Sequence, residues 1–118
     1  MARVIAVGHV GLNAKDLPSL ARFYSEVVGV PRIVYHEGVV AIFAIGDTQT
    51  DLFLMPGERT PVEFDLIADD VDGFRAKLVA AGVPCTEAKN EKLSGHRGFA
   101  FTDPEGNEIP VRSAHQRG

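Results

Sequence analysis

Residues 8–17 read Gly8-His9-Val10-Gly11-Leu12-Asn13-Ala14-Lys15-Asp16-Leu17, an apolar segment that runs through a polar stretch into an acid and a leucine. This stretch reads as a strand handing over to a helix. The strand is expected over Val4–Asn13. Asp16 then has the short acceptor side chain that caps exposed N–H groups at a helix start. Pro18 falls in the first turn, where a missing N–H is harmless. Leu17, Leu20, Ala21, Tyr24, Val27 and Val28 recur at helical spacing, and Gly29 supplies the stop.

Working outward, three short strands follow. Arg32–His36 ends at Glu37-Gly38, Val39–Ile45 at Gly46-Asp47, and Thr50–Met55 at Pro56-Gly57. After the polar joint Glu58-Arg59-Thr60-Pro61 the order begins again. Val62–Ala68 alternates as a strand, Asp70 is a second N-cap, and Val71, Phe74, Leu78 and Ala81 make a helical stripe closed by Gly82. Pro84–Ala88, Arg97–Thr102 and a last segment through Arg112 read as strands, the final two joined by the turn Asp103-Pro104-Glu105-Gly106-Asn107.

The two halves share a register. His9 stands seven residues before Asp16, and Glu63 stands seven before Asp70, so the repeat superimposes His9 on Glu63. At the ends of the units, Leu52-Phe53-Leu54 matches Ile109-Pro110-Val111. The pattern is an α+β fold of two βαβββ modules, about 1–57 and 62–113, in a single domain whose curved mixed sheets form a concave pocket. Side chains alternate across a strand. Val10, Leu12, Leu52, Leu54, Phe64, Leu66, Ile109 and Val111 therefore face the helices. His9, Gly11, Asn13, Phe53, Glu63, Asp65, Ile67, Pro110 and Arg112 face the other way.

Composition narrows the functional classes. The chain has 118 residues, 45% of them hydrophobic and 24% charged, with a net charge of -4. That balance fits a globular domain and argues against nucleic acid as a partner, which calls for a basic surface. Cys85 is the single cysteine, so no intrachain disulfide or cysteine-based metal cluster is possible. The longest apolar run, Val39–Ile45, has seven residues and cannot span a bilayer. No membrane partner and a cytoplasmic, reducing location are the expectations.

Three stretches together resemble one family. They are Gly8–Asn13 with Asp16-Leu17 and Phe23–Val30, then Asp69-Asp70-Val71-Asp72, and above all Phe99-Ala100-Phe101-Thr102-Asp103-Pro104-Glu105-Gly106-Asn107. Nearly the whole chain resembles the vicinal-oxygen-chelate superfamily of glyoxalases, bleomycin-resistance proteins and ring-cleaving dioxygenases. The resemblance implies the fold, a homodimer, and in catalytic members a divalent metal such as Ni, Mn, Zn or Fe held at four positions. Here those positions carry His9, Glu63, Phe53 and Pro110, of which His9 and Glu63 alone have donor side chains. Catalytic metal sites usually take three protein ligands. A metal-free site, with no cofactor, is the expectation.

A small-molecule ligand is therefore expected at His9, Asn13, Phe53, Met55, Glu63, Asp65 and Arg112, with drug or metabolite sequestration of the bleomycin-resistance type as the leading function. Two alternatives stay open. One is a glyoxalase-like lyase or extradiol-type dioxygenase holding a metal on His9 and Glu63 plus a third donor. The other is a metal-free, isomerase-like enzyme using His9 or Glu63 as general base. Ser94-Gly95-His96-Arg97-Gly98 reads either as a solvated turn or as a loop closing over a ligand, with Arg97 meeting an anion.

Overall fold

A strand buries one face only if something covers it, and in this protein each four-stranded sheet has its own helix. The computed structural model describes residues 2, 3, 5, 7–61 and 64–114. The chain divides into two compact units, Met1–Thr60 and Pro61–Gly118. Each has the order strand, helix, strand, strand, strand, and together they make the α+β arrangement of two mixed sheets.

The first unit contains β1 (His9–Ala14), α1 (Leu17–Arg22), β2 (Arg32–His36), β3 (Val40–Ala44) and β4 (Asp51–Pro56), with sheet order β1-β4-β3-β2. β1 pairs in parallel with β4, which the intervening helix permits. Asp16 caps α1 as expected, its carboxylate accepting the Ser19 N–H at 3.1 Å. The second unit contains β5 (Leu66–Ala68), α2 (Val71–Ala80), β6 (Lys89–Asn90), β7 (Arg97–Thr102) and β8 (Glu108–Ser113), in the order β5-β8-β7-β6. Asp70 caps α2 in the same way, accepting the Gly73 N–H at 3.0 Å.

Ladder register shows that the repeat is real. Leu12 lies opposite Leu54, while Leu66 lies opposite Val111. Because Leu12 and Leu66 stand equally far before their caps, Leu54 corresponds to Val111, and one step on, Met55 corresponds to Arg112. Phe43 opposite Leu52 matches Phe101 opposite Ile109 in the same way. Of these eight strand residues all but the half-buried Leu66 are buried, as are Leu20, Tyr24 and Leu78 from the helical segments. Each such side chain stabilises its unit by about 1.5–3 kcal/mol through burial.

Several boundaries differ from the sequence reading. β1 begins at His9 rather than Val4; Val4 itself lies outside the described residues, and Ile5 and Val7 are exposed. β3 and β4 shift by a residue at their ends, to Val40–Ala44 and Asp51–Pro56. The helix expected through Val28 is α-helical to Arg22 and widens to a π-helical turn over Phe23–Val28. Gly29, at φ 88°, donates its N–H to the Tyr24 carbonyl five residues back. Phe23 and Tyr24 of this turn are both buried, their rings edge to face at 5.2 Å.

In the second unit, Val62–Ala68 contracts to Leu66–Ala68, with Val62 and Glu63 outside the described residues. Ala81 is exposed rather than part of the buried stripe. The strand expected at Pro84–Ala88 is reduced to a bridge between Cys85 and Phe101, and the regular β6 lies further on at Lys89–Asn90. The cause is a register slip. Cys85 opposes Phe101 but Lys89 opposes Gly98, so this strand carries one more residue than β7 between the two pairings. That is a β-bulge around Glu87 and Ala88.

Candidate functional site

The open face of each sheet, turned away from its helix, carries the candidate residues, and the two units differ in what they present. In the first unit β1 brings His9, Gly11 and Asn13 to the face beside Phe53 and Met55 of β4. The His9 ring meets the Phe53 ring edge to face, at 5.5 Å and 80° between planes. Gly11 is the ladder partner of Phe53 and leaves the ring's flank open. A Cβ at that glycine would stand 3.8 Å from the Phe53 ring. Asn13 opposes Met55, which is 39% exposed, and the Asn13 side chain packs against the backbone at Gly57. His9 is exposed and its imidazole makes no hydrogen bond among the described residues.

In the second unit the face is charged. Arg112 donates from Nη1 to Asp65 Oδ2 at 2.9 Å and holds Glu91 Oε1 at 3.6 Å from its Nε. These two carboxylates hold the guanidinium pKa above its usual value, the Asp65 hydrogen bond foremost. The Arg112 stem crosses Gly98, its ladder partner, where a Cβ would approach Cγ of Arg112 to 3.3 Å and the Val111 carbonyl to 2.7 Å. Beside it opens a cavity of about 380 Å³, lined by Arg112 and Pro110 of β8, Gly98 and Ala100 of β7, and Thr86, Glu87, Lys89 and Glu91 of the bulged segment.

The structure therefore gathers His9, Asn13, Phe53 and Met55 on one face of the first unit, and Asp65 with Arg112 on one face of the second. Glu63 lies outside the described residues. Thr86, Glu87, Lys89 and Glu91 escaped the sequence reading because the bulge that turns them to the cavity leaves no mark in local residue pattern. Among the described residues, no group of three or more His, Cys, Asp or Glu side chains could hold a metal ion.

Arg97 does not face a ligand. It grips Asp72 at the start of α2 through Nε and Nη2, at 2.8 and 2.9 Å, and reaches Asn90 Oδ1 at 3.2 Å. His96 is tied to the end of β8, with Nδ1 2.8 Å from the Ser113 carbonyl. The closing-loop reading of these two residues is thereby corrected: both are fastened to the scaffold. Cys85 is half-buried, with its thiol donating toward the Val83 carbonyl at 3.4 Å and burial pushing its pKa up. Among the described residues, no helix is long and apolar enough to cross a membrane.

Comparison with known proteins fits this architecture. An antibiotic binding protein from Streptomyces sp. CB03234 superimposes with a TM-score of 0.81 at 27% identity, covering 96% of this chain and 98% of its own. A member of the glyoxalase/bleomycin resistance protein/dioxygenase superfamily from Sphaerobacter thermophilus superimposes at 0.82, with 18% identity over 94% of this chain and 98% of its own. Lactoylglutathione lyase from Agrobacterium tumefaciens reaches 0.77 at 23% identity, over 92% and 93%. At such identities the last two share the fold and nothing finer is drawn from them. No protein of curated function matches the sequence. The family model described as Glyoxalase/Bleomycin resistance protein/Dioxygenase superfamily matches residues 6–111, and the chain belongs to that superfamily.

Proposed function

We propose that the protein binds a small organic molecule without a metal, in the sequestering manner of the bleomycin-resistance branch. The observation that carries this reading is the donor set. Of the four positions that hold metal in catalytic relatives, Phe53 and Pro110 offer an aromatic ring and a saturated pyrrolidine ring, neither with a donor atom, and ladder register makes these two equivalent. His9 and Glu63 remain, one donor short of the usual three. The donor set does not fit a catalytic metal centre. Phe53 occupies its position with an aromatic surface against His9. The cavity beside Arg112 adds a space of the size small-molecule pockets have. The similarity to an antibiotic binding protein supports the reading.

Because the His9 nitrogens have no partner among the described residues, the metal-dependent reading keeps one specific support. Elemental analysis and titration with nickel, manganese, zinc and ferrous iron separate the two. The expected result is no stoichiometric ion and no dependence on His9; about one ion per chain, lost in His9→Ala, overturns the proposal. A thermal-shift screen of metabolites and antibiotics provides the positive arm. A ligand at a hundred times its Kd stabilises the folded protein by about 2.7 kcal/mol. A homodimer, as in relatives of this branch, belongs to the same proposal and is read by sedimentation.

A further inference from the structure

The wall of the second unit's cavity restricts what can enter, and this inference rests on the binding reading above. Its floor is made by Gly98, Ala100 and Pro110, three residues without a protruding chain, on the adjacent strands β7 and β8. The floor is flat and apolar. Its side wall is fixed at Thr86, whose N–H donates to the Ala100 carbonyl at 2.8 Å and whose Oγ1 accepts the Ala100 N–H at 2.8 Å. The Thr86 carbonyl is taken by Arg75 Nε of α2 at 2.7 Å. Beyond this anchor, the bulge brings Glu87 and Lys89 to the same cavity.

The charges around this floor are unequal. Arg112 is already answered by Asp65 and Glu91, so an arriving anion must displace a carboxylate and then sit among carboxylates. Glu87 has no hydrogen bond or ion pair among the described residues and is available to a cation. Beside the paired Arg112, Lys89 is the other cation among the described lining residues, on a long exposed stem that lets its ammonium stay in water. We infer that this cavity takes a planar apolar ring system carrying a positive charge, with the ring on the Gly98–Ala100–Pro110 floor and the cation beside Glu87. A volume of about 380 Å³ accommodates two or three fused rings.

Three tricyclic probes test it: proflavine as the cation, acridone as the neutral ring and anthraquinone-2-sulfonate as the anion. The expected order of affinity is cation, neutral, anion. The cation's margin over acridone should be about threefold, as exposed charge pairs give, and should shrink with added salt. Glu87→Gln should remove that margin while leaving acridone unchanged. Ala100→Leu, which fills the floor, should weaken all three. Binding of the sulfonate as tight as that of proflavine overturns the inference, and so does a margin that survives Glu87→Gln. If no ring binds but other molecules in the thermal-shift screen do, the ligand class is wrong and the binding function stands. If nothing in either set stabilises the protein, the function itself fails.

Discussion

The Arg97 guanidinium holds both carboxylate oxygens of Asp72, Nε to Oδ2 at 2.8 Å and Nη2 to Oδ1 at 2.9 Å, and so staples the first strand residue of β7 to the first turn of α2. The hydrogen bond to Arg97 holds the Asp72 carboxyl below its usual value, with Arg75 adding a smaller pull in the same direction. The folded-state pKa is depressed. The pair's contribution to stability is therefore present above the ordinary aspartate value of about 3.9 and is lost as pH falls through the lowered folded value. Carboxyl titration by NMR should find Asp72 below its ordinary value in the native protein and back toward it in Arg97→Ala. An unmoved Asp72 in that variant would show that the staple does not form in solution.

Gly98 sits where a side chain has no room. A Cβ there would stand 2.7 Å from the Val111 carbonyl oxygen, a backbone atom that cannot swing aside, and 3.3 Å from the Arg112 stem. Gly98→Ala should destabilise the protein by about 1–3 kcal/mol, the cost of overpacking a fitted contact. The same change should displace Arg112 and lower ligand affinity in the second-unit cavity. Urea unfolding and probe titration read the two effects; a variant as stable as the parent contradicts the geometry.

The closing turn is held by a buried carboxylate. Asp103 Oδ1 accepts the Glu105 and Asn107 N–H groups at 2.9 Å each, and Oδ2 accepts the Asn107 side-chain amide at 2.9 Å. Asp103 and Asn107 are 4% and 1% exposed, so removing the acceptor leaves donors without water to replace it. Asp103→Ala should cost about 2–4 kcal/mol, several times what a surface aspartate costs. Denaturant midpoints for this variant and for an exposed control such as Asp47→Ala make the comparison.

Local chemistry carried much of the fold into the sequence. The alternation of Leu52, Phe53 and Leu54, the caps Asp16 and Asp70, and the glycine after each helix are decided within a few residues, and all three features stand in the structure. The faces were legible for the same reason: Leu12, Leu54, Ile109 and Val111 are buried, while His9 and Asp65 are exposed. The strand expected at Pro84–Ala88 was misplaced because a bulge depends on the partner strand, which local pattern does not contain. The π-helical turn was missed because Tyr24, Val27 and Val28 continue the helical stripe, and that spacing does not distinguish the wider turn.

The candidate site divides along the same line. Sequence alone determined that His9 and Phe53 share a face, since period-two alternation and the repeat register are properties of the chain itself. It also determined that Phe53 and Pro110 cannot donate to a metal. Alternation also put Arg112 on the open face, since it follows the buried Val111. Only the tertiary structure decided what each arginine of these strands meets. Arg97 points to the helix side and meets Asp72, whereas Arg112 points to the open side and meets Asp65 and Glu91. The partners come from 25 and 47 residues away for the two hydrogen bonds, so the choice belongs to strand pairing across the sheet rather than to any local run of residues.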